Sequence, residues 1–326
     1  MASLSFHDRQ HLQKVLAQQS YIASVFNSFV ASVSPLLHKW NDTGKSNVWI
    51  RNGMIEQAIE RELIKLHAAL LNNINSFQTD AWQRANIKND ELIDRYLKGL
   101  AISEVVKRGM FVKNLDALKQ FQDRKDAGMN LSTNVWNITK QTKTQIEFYL
   151  ESGLSVGRSA NDIGRDVRQL LNNPDKRFHR IRDKKGNLVL SQPMKDYHPG
   201  AGQYRSAKMN ALRLSSTETN MSYRKSDYER WNNLDFVLGF EVQRSKNNKG
   251  SCSICDPLVG IYPKEFLFTG WHPFCLCLAT PALMSQNDFA DYLLSGIMPA
   301  DKLIRSVPTA AVKWVESNPQ FFRKAG

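Results

Sequence analysis

Every cysteine of the chain, Cys252, Cys255, Cys275 and Cys277, falls within a 26-residue segment that also holds His272. A Cys-x-x-Cys turn lets two thiolates converge on one ion, and His272-x-x-Cys275 repeats that spacing 16 residues further on. Two such turns facing each other across a strand-turn-strand supply the four soft or borderline ligands of a zinc tetrahedron. The preferred set is Cys252, Cys255, His272 and Cys275, with Cys277 spare or standing in for Cys275. A closed site of this kind leaves no position for water, so the expected zinc is structural and its binding free energy becomes folding free energy. Reduced thiols packed as small hydrophobes are one alternative. A redox pair at Cys252 and Cys255 is another, though no thioredoxin-like βαβ frame surrounds it. A disulfide framework would spread its cysteines along the chain.

Other candidate chemistry is sparse. Ser215-Ser-Thr-Glu218 places a carboxylate beside hydroxyls, yet the same pattern is equally a capping box at a helix start, and capping or another structural role is favoured over an active site. His179, His198 and His272 are too scattered to propose a triad, and no Walker-type phosphate loop is present. No enzyme is expected; a nuclease or transferase using Glu218 is the minor alternative.

The chain of 326 residues carries 44 Lys and Arg against 31 Asp and Glu, a net charge of +13, which favours an anionic partner. Its most basic stretch contains Arg165, Arg168, Lys176, Arg177, Arg180, Arg182, Lys184 and Lys185, and phosphate contact is expected there first. A DNA-binding zinc module is therefore a competing reading, with a solvated loop as its bland counterpart. The first 13 residues lack the order of a secretory signal, so no export is expected. No run of apolar residues reaches the roughly 18 that a spanning helix needs, so no membrane span is expected.

The elements that must position these residues are mostly helical. Leu12, Val15, Ile22, Phe26, Phe29 and Val33 form one stripe, which Pro35 is expected to end or kink. Ile55, Ile59, Leu63, Leu66, Leu70, Ile74 and Phe77 form a narrow seam suited to a coiled-coil-like hairpin. A third pattern joins Leu92, Ile93, Tyr96, Leu97, Leu100, Val105 and Val106, a fourth Leu115, Leu118 and Phe121. Gly128 to Ser132 breaks the run. A helix through Trp136, Ile146 and Leu150 should close at Gly153, and Ser159 and Asp162 should start another. Lys184-Lys185-Gly186-Asn187 is a turn ahead of Leu188-Val-Leu190, a short hairpin. Further expectations are a helix from Tyr204 to Trp231, a strand from Phe236 to Val242, and short helices at Asp288 to Leu294 and Thr309 to Glu316. The fold class is thus α+β, mainly α: long N-terminal helices, then a small α+β domain with a Cys/His zinc knuckle. Its expected divisions are a helical region at 1–127, a domain at 128–285 with the knuckle at 252–277, and a short helical tail at 286–326.

Ile254-Cys-Asp-Pro-Leu-Val-Gly260, Tyr262-Pro-Lys and Phe268-Thr-Gly-Trp-His-Pro-Phe-Cys-Leu-Cys277 together resemble the C-terminal signature of the Mu F-like head-morphogenesis family, the minor head proteins of tailed phages and prophages. Upstream, Arg213-Leu-Ser-Ser-Thr-Glu-Thr-Asn220 with Tyr223-Arg-Lys and Trp231 is similar to the helix before that signature. The resemblance covers about residues 130 to 280. Leu276 departs from it, since the family often has Arg between its last two cysteines. The resemblance implies a part present in few copies that acts in procapsid assembly, portal association or DNA packaging and delivery. It implies as partners the portal, other head proteins and packaged DNA, and as location the virion, or the host cytoplasm during assembly.

Overall fold

The computed structural model describes residues 5–40, 53–155, 180–190, 206–245 and 251–319. Helices α1 (Phe6–Trp40), α2 (Gly53–Leu97), α3 (Glu104–Met110), α4 (Leu115–Asp123) and α5 (Leu131–Ser155) come first. A hairpin of β1 (Arg180–Arg182) and β2 (Leu188–Leu190) follows, then α6 (Ala207–Asn232). Strands β3 (Val237–Gln243), β4 (Gly260–Pro263) and β5 (Leu278–Leu283), then α7 (Gln286–Ser295) and α8 (Thr309–Ser317), complete the order. The expected class, mainly α with a small sheet, is the one observed. No helix among the described residues is long and apolar enough to cross a membrane.

The chain forms two compact units, and they are not sequential segments. One comprises Met1–Leu16, Asn75–Ala127 and Ser216–Gly326, the other Ala17–Ile74 and Gly128–Ser215. Of the expected divisions only the break between Ala127 and Gly128 coincides with a unit boundary. Helices α1, α2 and α6 each run through a unit boundary, so each half of a helix belongs with whatever its own side chains pack against.

In the second unit the seams of α1 and α2 meet in one core, with Phe26, Leu63 and Ile74 buried. Leu131, Val135, Ile138 and Ile146 of α5 and Ala207 and Ala211 of α6 join it, so the α1 and α2 seams close a multi-helix core rather than a lone hairpin. Pro35 does not end α1, which continues to Trp40. The helix loses only the N–H that Pro cannot supply, while Ser34 Oγ bonds back to the Val30 carbonyl at 2.7 Å. Helix α5 begins after Gly128, whose φ is +77°, with Asn130 Oδ1 accepting from Thr133 N, and it runs two residues past Gly153.

The first unit has a core of mixed origin. Ile93, Tyr96 and Leu97 of α2, Trp231 of α6, Phe236, Phe240 and Val242 around β3, and Phe289 of α7 are packed together with Cys255, Cys275 and Cys277. The segment after residue 285 is therefore no separate tail: the Phe289 ring lies 5.4 Å from that of Phe236. Strand β3 is the middle of an antiparallel sheet ordered β4-β3-β5, with Phe240 opposite Tyr262 and Pro281 and a register shift between Val237 and Gly239. Helix α7 starts at Gln286 because Ser285 Oγ accepts from Asp288 N at 3.1 Å. The third apolar pattern splits at Leu97: Gly99 turns at φ +89°, and Val105 on α3 is 82% exposed.

Helix α6 shows little apolar periodicity because its second half buries polar groups that are answered by charge. Lys88 Nζ of α2 lies 2.6 Å from Asp227 Oδ2 and 3.3 Å from Asp8 Oδ1, over the Tyr223 ring. Tyr223 OH donates to Asp8 Oδ1, and Asn89 joins Asp227 to the Trp231 indole. Burial alone would raise Asp8, but Lys88, Ser5 and Tyr223 hold its carboxyl below the usual range. Burial pushes Asp227 up to about 6 against the pull of Lys88. His11 stacks on Tyr223 at 3.9 Å with its Nε2 2.8 Å from Asn220 Oδ1, and burial drives its pKa down to about 3.

Lys88→Met should cost about 3–5 kcal/mol in urea unfolding, because two buried carboxylates lose their cation. A loss under 1 kcal/mol would show that the carboxylates hold one another's proton instead. His11 gives an acid dependence. The unfolded imidazole takes up a proton below its ordinary 6.5, the folded one only near 3, so stability is lost progressively as pH falls through that window. Asp227, titrating near 6, acts with the opposite sign. His11→Gln, which keeps a donor for Asn220, should therefore flatten the fall in stability between pH 6 and 4; an unchanged slope would place the acid sensitivity elsewhere.

Candidate metal centre

Two tight turns present the donors. In the first, Asp256 N bonds to the Cys252 carbonyl at 2.9 Å, Cys255 N reaches Cys252 Sγ at 3.4 Å, and a short 3-10 turn at Asp256–Leu258 leads into β4. Asp256 accepts from Cys252 N through Oδ2 at 2.8 Å and pairs with Arg244 through Oδ1, which fixes the turn from outside. In the second, Cys275 N bonds to the His272 carbonyl at 3.0 Å, Phe274 takes a left-handed φ of +61°, and Cys277 directly precedes β5.

The turns face each other. His272 Nε2 lies 3.0 Å from Cys255 Sγ and 3.4 Å from Cys252 Sγ, and Cys255 Sγ lies 4.0 Å from Cys275 Sγ. Ligands about 2.0–2.3 Å from a tetrahedral ion stand roughly 3.3–3.8 Å apart, and these separations fall within that range or a few tenths of an ångström to either side of it. The donors fall into two triads, Cys252 with Cys255 and His272, and Cys255 with Cys275 and Cys277. Cys255 belongs to both, so a four-ligand site takes its last donor from the second triad. The cluster could hold a metal ion, and all five residues singled out from spacing take part in it.

Protonation prepares the site. His272 Nδ1 lies 2.7 Å from the Pro273 carbonyl, which can only accept. Nδ1 therefore donates that bond, which in a neutral ring turns the Nε2 lone pair toward the sulfurs. A hydrogen bond from Cys277 pulls Cys275 down to about 4, helped by Arg224 and opposed by burial. Burial and the neighbouring Cys275 push Cys255 up to about 12, and the bond to Cys275 together with burial raises Cys277. Without an ion the triad of Cys255, Cys275 and Cys277 thus accommodates one thiolate readily, and further ionisation within it calls for more positive charge.

Helix α6 supports the second turn along one face. Thr217 Oγ1 accepts from Phe274 N at 3.3 Å, Asn220 Nδ2 reaches the Cys275 carbonyl at 3.5 Å, and Arg224 donates to the carbonyls of Thr269, Cys275 and Cys277 at 2.6, 2.6 and 2.8 Å. Gly270 is required there: its φ is +123° and a Cβ would stand 2.4 Å from Arg224 Nη1. The spacing in the cysteine segment does not reveal these supports; the polar spacing of Thr217, Asn220 and Arg224 by three and four residues was the available signal.

Of the two structural roles expected for Ser215 to Glu218, the cap is corrected, since these residues lie inside α6 rather than at its start. Ser215 Oγ bonds back to the Leu212 carbonyl, and Glu218 is held by Gln78 and Arg124 at 2.8 Å. Of the expected phosphate-contacting residues, Arg165, Arg168, Lys176 and Arg177 lie outside the described residues, as does the helix start at Ser159. Arg180 falls on β1, and Arg182, Lys184 and Lys185 are exposed on the hairpin, away from any role in the cysteine cluster. Asp183 closes that hairpin by accepting from the amides of Lys185 and Asn187.

One equivalent of a divalent ion under reducing conditions should raise the melting temperature of the chain by several degrees, by mass action on the folded state. Cys252→Ser and His272→Ala should each abolish that rise. Identical melting with and without metal would leave the cysteines as packed thiols.

Compared with known protein families, curated proteins and solved structures, the chain matches none.

Proposed function

We propose that the chain is a minor head, or head-morphogenesis, protein of a tailed phage or prophage, a structural and interaction component whose metal centre holds zinc. The observation that carries this reading is the convergence of Cys252, Cys255, His272, Cys275 and Cys277 in the core of the first unit, on the residues that bear the family signature. Thiolate and imidazole donors suit zinc, which has no geometric preference of its own to oppose a protein-imposed tetrahedron. In this reading the ion ties two turns of the sheet to α6, and it works by holding shape.

The reading places the portal protein and other head proteins as partners, with packaged DNA as the anionic one, in the virion or in the host cytoplasm during assembly. The net charge of +13 suits that DNA contact, and Arg182, Lys184 and Lys185 are exposed to make it.

Co-expression with the portal and head proteins of the phage that encodes it provides the test. The chain should co-sediment with portal rings or procapsids, and Cys252→Ser should reduce the amount recovered there at equal expression. Its absence from both particles, with the chain soluble and folded, would overturn the head-protein reading while leaving the metal centre intact.

A further inference from the structure

Among the described residues four lysine and arginine side chains are buried, namely Arg84, Lys88, Arg224 and Arg230. Three have carboxylate partners: Arg84 pairs with Asp80, Lys88 with Asp8 and Asp227, and Arg230 with Asp90. Arg224 does not. It is 6% exposed, its hydrogen bonds end on the carbonyls of Thr269, Cys275 and Cys277, and the Phe268 ring lies 5.0 Å from its guanidinium carbon. Carbonyl dipoles orient a guanidinium, but they bring no net charge to offset the cost of burying it, which is several kcal/mol. The groups close enough to supply negative charge are the sulfurs of Cys275, Cys277 and Cys255.

A divalent ion with three thiolates and a neutral imidazole carries one net negative charge. We propose that Arg224 is the counter-ion of such a centre, neutralising that single charge while its carbonyl bonds hold the Cys275 to Cys277 turn in place. The inference rests on the metal-centre reading and adds to it a ligand count. One guanidinium balances three thiolates with His272, whereas four thiolates would leave a buried negative charge unanswered. On binding, the ligating cysteines that are still protonated give their protons to solvent, the divalent ion brings the positive charge that replaces them, and Arg224 balances the one negative charge left over. Arg224 acts through the ligands and their backbone, so it is a positioning residue.

The test titrates the full chain with Zn(II) and Co(II) under reducing conditions, in competition with a chelator, for wild type, Arg224→Met and Arg224→Lys. Arg224→Met should bind metal on the order of 10–100-fold more weakly, the range for loss of an outer-shell partner, and Arg224→Lys should recover most of the affinity because it keeps the charge. The Co(II) form of the wild type should show the thiolate-to-metal absorption of three sulfurs, a count that needs no variant and decides the case if Arg224→Met fails to fold. Folded Arg224→Met with unchanged affinity, or a Co(II) spectrum of four thiolates, would overturn the counter-ion role. A wild type that binds neither metal would instead overturn the metal centre itself, and the counter-ion with it.

Discussion

The first unit depends on how the buried polar face of α6 is answered. A helix that carries Asn220, Tyr223, Arg224, Asp227 and Arg230 into an interior cannot be stabilised by apolar burial alone, and each group must find a partner or cost more than it contributes. Lys88 answers Asp227, Asp90 answers Arg230, and His11 answers Asn220. Satisfied in this way, the helix fixes register as well as position: a slide of one residue would break several charged pairs together, whereas an apolar seam tolerates repacking. The same helix then supports the second cysteine turn, so the geometry of the candidate metal site inherits the precision of the ionic core.

The long helices were legible because apolar spacing is a direct record of one buried face. Leu12 through Val33 and Ile55 through Ile74 are buried as their spacing required. The donors of the metal centre were legible for a different reason: few alternatives compete when every cysteine of a chain falls beside one histidine. The hairpin at Lys184 to Asn187 followed from turn chemistry, with Gly186 at φ +79°.

What escaped the sequence was long-range pairing. Ser215 to Glu218 has the form of a cap, and only the presence of Gln78 and Arg124 across the fold shows why that carboxylate lies inside a helix. Pro35 carries the general signature of a break, yet one missing N–H in a helix of 35 residues is a local loss that packing outweighs. The compact units escaped too, because burial periodicity says which face of a helix is covered and nothing about which distant segment covers it. Arg224 was visible as a letter, but its meaning lies in three carbonyls that come 45 to 53 residues later.

The interleaved connectivity bears on how the chain comes into being on the ribosome. Asp8, His11 and Lys88 are made well before their partners Asn220, Tyr223 and Asp227, and Phe289 and Ala311 come later still. Until then the nascent chain holds Asp8 and Lys88 without the Asp227 that completes their cluster, and open apolar stripes with nothing to close them. The second unit has its last core residue by Ala211 and is free to settle first. The first can close only once those later residues have been made, so that its final step is a late, cooperative event in which the cysteine turns and the ionic core are completed together.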